Sequence, residues 1–588
     1  MINASSTSRV WLSLAVGLVL VGAVLNVFFL FNQCPFQLSQ DEAHYWQWSR
    51  NLDYGYYSKP PGIAWLMAGT MRVAGIFGVD PDASGQTLMP ILRLPAVLFG
   101  TLSGLFSIAL ARRIFRDDRT AFAVICLSAA VPMFAIGSML ITIDSPMYLC
   151  WAVSVYCLWR HVEGFSIFDF RFSSSGPESK IENRKSKIVW LYLAAVACAV
   201  GMLFKPVLIA IPLCVIVGCW LDPQIRRAFK SWHSVGGGLI VLTSQVPVVL
   251  WNAQHNWVTF RHIGATGGVS DDKATNYLAP LERLGQYVGG QAGGMGGLIF
   301  ILLVTAIVVA LQLRKNSASP LAEQYAGLRH ASPPPLPAKY VGLNFLLAFT
   351  LPLWLFYLAL SLWKSTQPNW PAASYFTGMV LLAGVFTAGW NSAVEAVRRR
   401  WRRWGIASIV WGMMLVTIVT NIHRIILRLP AVAQEKIVPT LSKLAGMEEQ
   451  AAEFQASRER LAAETGMEPL LMANSYRLAS SMTFYLPDHT FVYCLMSSIG
   501  GRHNQFDLWP GPNQKDADDE LAFAGRPALI LGVNPKNPAV ETVLRPAFER
   551  LEGPEEITPT MLGVPGRKVS IYRGYGFKGF PENPSKTY

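Results

Sequence analysis

The most regular feature of the chain is the alternation of long apolar runs with short charged connections. Residues 11–31, WLSLAVGLVLVGAVLNVFFLF, carry no charge over a length that crosses a bilayer as a helix. Similar runs centre near residues 101, 129, 153, 196, 213, 244, 303, 351, 380 and 413, which predicts eleven spans in all. The first run is longer than the apolar part of a secretory signal, and the NQCPF that follows offers no small-residue cleavage site, so it is expected to remain as a helix. Beyond Asn421 the pattern changes to that of a soluble protein. A polar helical stretch from Gln434 to Glu464 leads into strand-like PLLMAN, TFVYCLM, ALILGV and KVSIYRG, with helix-like SYRLASSMTFYL between the first two. The expected fold class is a polytopic α-helical membrane protein with a small C-terminal α/β domain: residues 1–425 in the membrane, 426–588 a linker helix and soluble domain. No internal repeat is visible.

Composition agrees with that class. Of 588 residues, 52% are hydrophobic and only 15% charged, which excludes an ordinary soluble protein. The net charge of +13 would suit nucleic acid, but its sources lie between spans. ARRIFRDDR, RFSSSGPESKIENRKSK, QIRRAFK, LRKNSASP and RRRWRRW alternate with connections of different character, so the positive-inside rule makes these five cytoplasmic. That predicts a plasma (inner) membrane protein with a cytoplasmic N-terminus and an extracytoplasmic C-terminal domain, in contact with membrane lipid and with no nucleic-acid site. Six cysteines lie in apolar stretches without metal spacing and read as packing residues, whereas Cys34 and Cys494 both fall on the outer side, where they can pair.

The outer connections hold the unusual chemistry. In SQDEAHYWQWS, the S-x-x-E pattern predicts a capped helix, with Glu42 reaching back to Ser39. On that helix Asp41, His44, Tyr45 and Trp48 share a face, which a cap does not require, although aromatic residues also gather at membrane interfaces as anchors. Lys59, before a Pro-Pro pair, either snorkels to headgroups or binds one phosphate, and Tyr56 can add a hydroxyl to the same oxygens. Asp144 in TIDSP reads as a helix N-cap or as a functional carboxylate beside hydrocarbon. Lys205 in FKP repeats the lysine-proline form at another outer boundary. His44, His255 and His262 match no zinc spacing, while Asp41, Glu42 and Asp144 can hold Mg²⁺ or Mn²⁺; a cofactor is otherwise unknown from the sequence.

Taken together, DEAHYWQWS…LDYGYYSKPP, TIDSP, WNAQHNW and QPNWPA resemble the GT-C glycosyltransferases related to protein O-mannosyltransferases and the lipid A aminoarabinose transferase. The resemblance covers about residues 10 to 390, and GRHNQFDLWPGP in the tail looks like bacterial members. It implies transfer of a sugar from a polyprenyl-phosphate donor to a lipid, glycan or protein acceptor outside the membrane. By motif position Asp41 matches the family's catalytic acidic residue, Asp144 its second-loop acidic residue, and Tyr45, Tyr56 and Lys59 match contacts to the donor phosphate. Two departures stand out: eleven expected spans against thirteen in the aminoarabinose transferase, and Ser58 where some relatives have Glu.

Such a transfer passes through an oxocarbenium-like state as phosphate leaves, so a cation beside that phosphate, Lys59 first and Lys205 second, stabilises the growing charge. Asp41 then serves as general base toward a hydroxyl acceptor, with inversion at the anomeric carbon; Asp144 and Glu42 complete the candidate catalytic set. The rival reading is a multi-span transporter or flippase of lipid-linked or small polar substrates, which the absence of repeats and the boundary position of the acidic groups disfavour. A third is a membrane-anchored scaffold whose outer domain does the work.

Overall fold

Apolar runs become helices in the computed structural model, which describes residues 4–171, 177–267, 278–315, 340–438, 445–561 and 563–581. Among these, Arg9–Asn32, Gly85–Phe115, Trp232–Gln254, Leu298–Lys315, Val341–Leu360 and Glu395–Thr420 are long and apolar enough to cross a membrane. Shorter apolar helices occupy Gly62–Ile76, Lys187–Met202, Pro206–Leu221 and Ser374–Trp390. The run expected to span near residue 129 is instead two helices, Asp118–Ala129 and Pro132–Gly137. Pro132 lacks the N–H that would continue the first helix and begins the second, where none is needed.

The chain forms two compact units. The first comprises Met1–Phe28, Pro95–Pro247 and Val269–Thr420. At its centre the Ser374–Trp390 helix is buried at every position from Ser374 to Gly389, as its apolar character all round requires. The helices Asp118–Ala129, Leu298–Lys315 and Val341–Leu360 pack against it.

The second unit comprises Phe29–Leu94, Val248–Gly268 and Asn421–Tyr588. It therefore changes hands close to the expected boundary at 425, but it also takes in the first outer connection and the WNAQHNW segment. Its sheet runs in the order β2-β1-β3-β7-β4, with β1 at Leu470–Ala473, β2 at Tyr493–Cys494, β3 at Ala528–Leu531, β4 at Phe548–Ile557 and β7 at Val569–Phe577; β5 (Thr560–Met561) and β6 (Val564–Pro565) form a separate hairpin. β1 pairs in parallel with β2 and β3, whereas β7 runs antiparallel to both of its neighbours. All four residues of β1 and of β3 are buried, which explains why these central strands read as continuous apolar runs. The expected polar helix from Gln434 is seen as Ala431–Ile437 and Met447–Thr465, with residues 439–444 outside the described ones.

Candidate functional site

In the second unit, the opening motif folds as its capping pattern dictates. Ser39 Oγ accepts the Glu42 N–H and the Glu42 carboxylate accepts the Ser39 N–H at 2.8 Å, starting the Gln40–Ser49 helix. The same carboxylate receives both Arg93 Nε at 2.9 Å and Arg93 Nη2 at 2.7 Å. Glu42 is 0% exposed. Arg93 also donates to the carbonyls of Phe36 and Gln37, tying the chain that enters the helix. The Glu42 oxygens, expected among the catalytic carboxylates, are engaged in a cap and a buried bidentate ion pair, a geometry that positions the helix.

Asp41 differs from its neighbour. Its side chain is 54% exposed and its carboxylate lies 3.4 Å from Arg477 Nε on the Tyr476–Tyr485 helix. Arg477 and Arg502 both lie over the Tyr476 ring, and Arg502 Nη2 donates to the Tyr476 hydroxyl at 3.1 Å. His44, the next member of the predicted face, is buried among these groups, with Nδ1 2.9 Å from Ser480 Oγ and its ring 4.7 Å from Tyr476. Burial first, then the positive charge of Arg477 and Arg502, pushes His44 down to about 3, so it is a neutral imidazole at ordinary pH. Tyr45 is buried and stacks at a tilt on Trp48, 5.3 Å between centroids.

Tyr56 is held within its own loop. It donates toward the carbonyls of Trp48 and Asn51 and accepts the Asp53 N–H, while its ring lies parallel to Trp48 at 4.4 Å. These bonds pin the loop back on the helix. Lys59 is half-buried, and its carbonyl accepts the Tyr56 N–H at 3.0 Å. The loop also explains WNAQHNW. A Cβ at Gly55 would stand 2.6 Å from the Trp251 ring, so only glycine allows this approach. Thr259 Oγ1 donates to the Tyr56 carbonyl, and His255 stacks on Trp251 at 4.1 Å. His262 Nε2 lies 3.5 Å from Arg502 Nη1.

In the first unit, Asp144 opens the Asp144–Arg171 helix, as an acidic first turn favours. Lys205 Nζ donates to Asp144 Oδ1 at 2.6 Å and Asn369 Nδ2 to Oδ2 at 2.8 Å. Two residues proposed separately from the sequence are therefore an ion pair, and Asn369, within the QPNWPA motif but not singled out, is the third member. Asp144 and Asn369 stand in the wall of a cavity of about 440 Å³ that also includes Thr142, Ser145 and Tyr148. The rest of its wall is largely apolar, with Ile125, Met133, Phe134, Leu140, Phe376 and Met379. A polar end on an apolar chamber suits an amphipathic ligand.

The carboxylates suggested for a divalent cation do not fit one. Asp41, Glu42 and Asp144 each face a cationic side chain, and among the described residues no three His, Cys, Asp or Glu side chains are grouped to hold a metal. All eight cysteines are free, Cys34 and Cys494 included; burial pushes the Cys494 thiol up to about 12. Sequence reading missed Arg93, Arg477 and Arg502. An arginine inside the apolar run PILRLPAV was a signal for the first; nothing local distinguished the other two.

The family model described as dolichyl-phosphate-mannose-protein mannosyltransferase matches residues 58–170. An undecaprenyl phosphate-alpha-4-amino-4-deoxy-L-arabinose arabinosyl transferase of Pseudomonas aeruginosa is 28% identical over 171 residues, 27% of this chain and 26% of the relative. The lipid A galacturonosyltransferase RgtD of Rhizobium johnstonii is 60% identical over 35 residues, 6% of this chain and 7% of the relative. The chain thus spans about a quarter or less of these two relatives. The solved structure of ArnT from Cupriavidus metallidurans in the apo state superposes with a TM-score of 0.55 at 15% identity, covering 96% of this chain and 98% of that one. The same protein bound to undecaprenyl phosphate gives 0.52 at 15% identity, covering 95% and 97%. The shared fold extends through the C-terminal domain as well as the membrane helices.

Proposed function

We propose that this integral membrane protein, a GT-C-type member of the superfamily of protein O-mannosyltransferases and the lipid A aminoarabinose transferase, moves a sugar from a polyprenyl-phosphate donor to an extracytoplasmic acceptor with inversion at the anomeric carbon. The observation that carries the reading is the largely apolar cavity in the first unit, with Asp144 and Asn369 in its wall and Lys205 paired to Asp144. A polyprenyl phosphate has that polarity. The named relatives are transferases, and nothing in the comparison favours the transporter or flippase reading.

Chemistry assigns the roles. As the sugar–phosphate bond breaks, negative charge builds on phosphate and positive charge on the anomeric carbon. Lys59 is the first candidate cation to receive the phosphate, and Lys205, fixed on Asp144, is the second. Asp41, the exposed carboxylate, takes the proton of a hydroxyl acceptor; toward an acceptor that is already anionic no base is needed and it orients the sugar. The basic connections support a cytoplasmic N-terminus and an extracytoplasmic C-terminal domain in the inner membrane.

Purified protein in nanodiscs, given a panel of polyprenyl-phosphate sugars, should cleave at least one donor and label an acceptor. Asp41→Asn should abolish transfer while retaining donor affinity, and Lys205→Ala should weaken donor binding by about tenfold or more. No cleavage of any donor, under conditions where a related transferase works, would return the protein to the transporter reading.

A further inference from the structure

In the first unit, the QPNWPA connection between the Val341–Leu360 and Ser374–Trp390 helices has a proline where a turn donor belongs. In a turn the carbonyl of the first residue accepts the N–H of the fourth; from Pro368 the fourth residue is Pro371, which has none. The next N–H, that of Ala372, goes to the Asn369 carbonyl at 3.3 Å. A side chain from another helix meets the Pro368 carbonyl instead: Gln291 Nε2 donates to it at 3.2 Å.

Gln291 belongs to the Ala279–Gly294 helix and is 1% exposed. A buried amide is costly unless both of its ends are bonded. Its oxygen accepts the hydroxyl of Tyr375, in the first turn of the Ser374–Trp390 helix, at 2.7 Å. A carbonyl only accepts, whereas a phenol also donates, so the amide must turn its nitrogen to Pro368 and its oxygen to Tyr375. The neighbouring Gly290 allows the approach, since a Cβ there would stand 3.0 Å from Pro368 Cγ. About two turns earlier on the same helix, Arg283 Nη2 donates to the Leu362 carbonyl at 3.1 Å. One helix thus grips the connection near both ends.

The residue after Pro368 is Asn369, whose amide takes Asp144 Oδ2 and leaves Oδ1 to Lys205. We propose that Gln291, set by Tyr375, is a positioning residue for this cluster. It anchors the Pro368 carbonyl, the anchored peptide aims Asn369 at one oxygen of Asp144, and the other oxygen holds Lys205. The consequence for donor binding rests on the transferase reading, with Lys205 as a cation for the phosphate.

Farnesyl phosphate, a short polyprenyl monophosphate, and farnesol, the same chain without charge, separate headgroup from chain in competition binding to the full-length protein in nanodiscs. Gln291→Met removes both bonds at similar volume and should raise the Kd for farnesyl phosphate about fivefold with little change for farnesol. Tyr375→Phe, the milder variant should Gln291→Met melt too low to measure, should shift it about twofold in the same direction. A general loosening of the fold would weaken both ligands alike, and that result overturns the proposal, as does unchanged affinity in both variants. Asn369→Ala should match Gln291→Met, and the double variant should lose no more than either alone, because one change acts through the other; additive losses overturn it. Melting temperatures of the same variants need no ligand and should show the same non-additivity. Non-additive melting in a protein whose wild type binds no farnesyl phosphate would overturn the transferase reading and the role in donor binding together. Additive melting with intact wild-type binding would overturn the positioning chain and leave that reading standing.

Discussion

At the level of single residues, adjacent carboxylates on one helix have opposite fates. Asp41 is exposed beside Arg477, while Glu42 is sealed against Arg93. Removing one partner of a buried pair leaves the other charge without compensation, typically at about 3–5 kcal/mol. Glu42→Gln and Arg93→Gln should each lower stability on that scale. The double variant should lose less than the two losses added together, measured by thermal unfolding in detergent. A Glu42→Gln protein that melts normally but no longer turns over would instead mark Glu42 as a participant in the chemistry. His44 gives a second residue-level prediction. Its folded value near 3 lies below about 6.5 for a free imidazole, so between those values the unfolded chain takes up a proton that the folded chain does not. Stability from this group is complete above about pH 6.5 and declines as pH falls, by about 2 kcal/mol at pH 5. His44→Gln should flatten the fall in melting temperature between pH 7 and pH 5, and an equal slope in both proteins would refute the assignment.

Elements were legible in the sequence to the extent that their determinants are local. Ser39 and Glu42 announce their cap three residues apart, and both sides of it are present. The central strands β1 and β3 announce themselves by apolar runs, and Tyr476–Tyr485 by its helical period. β4 gave no such signal: of FERLEGPEEI only Phe548 and Ile557 are buried, so its hydrophobic pattern is lost to solvent. Partners far apart in the chain were equally invisible. Arg93 lies 51 positions from Glu42 and Asn369 lies 225 from Asp144. Tyr56, expected at the donor phosphate, illustrates the same limit, because the carbonyls that its hydroxyl meets become apparent only once the loop has folded. Packing between elements yields its own prediction. A Cβ at Gly384 in the Ser374–Trp390 helix would meet Phe115 at 2.1 Å, closer than any relaxation of a helix backbone accommodates. Gly384→Val should destabilise the first unit by about 1–3 kcal/mol or more, and the smaller Phe115→Ala change in the same chain should recover part of the loss in melting temperature.

For the whole molecule, the division of the chain matters more than the number of spans. Residues 421–588 do not form a body of their own, because the unit that contains them also contains Phe29–Leu94 and Val248–Gly268. The Gln40–Ser49 helix uses that unit as its core. Trp46 meets Phe484 at 4.9 Å, Ser480 holds His44, and the Tyr485 hydroxyl accepts the Leu38 N–H at 2.7 Å. Without residues beyond 425, these aromatic faces and the Leu38 N–H would lose their partners, and Asp41 would lose Arg477. A chain ending at residue 425 is therefore expected to retain its membrane insertion but to lose donor cleavage, beyond any effect on acceptor choice. A scaffold whose outer domain merely recruits a partner makes the opposite forecast, since its membrane part would cleave donor unaided. Donor cleavage by the shortened chain in nanodiscs, compared with Arg477→Gln in the full chain, separates the two. Intact cleavage by the shortened chain would sink the view that the C-terminal region completes the machinery, whereas loss in both places Arg477 among the groups that hold Asp41 ready.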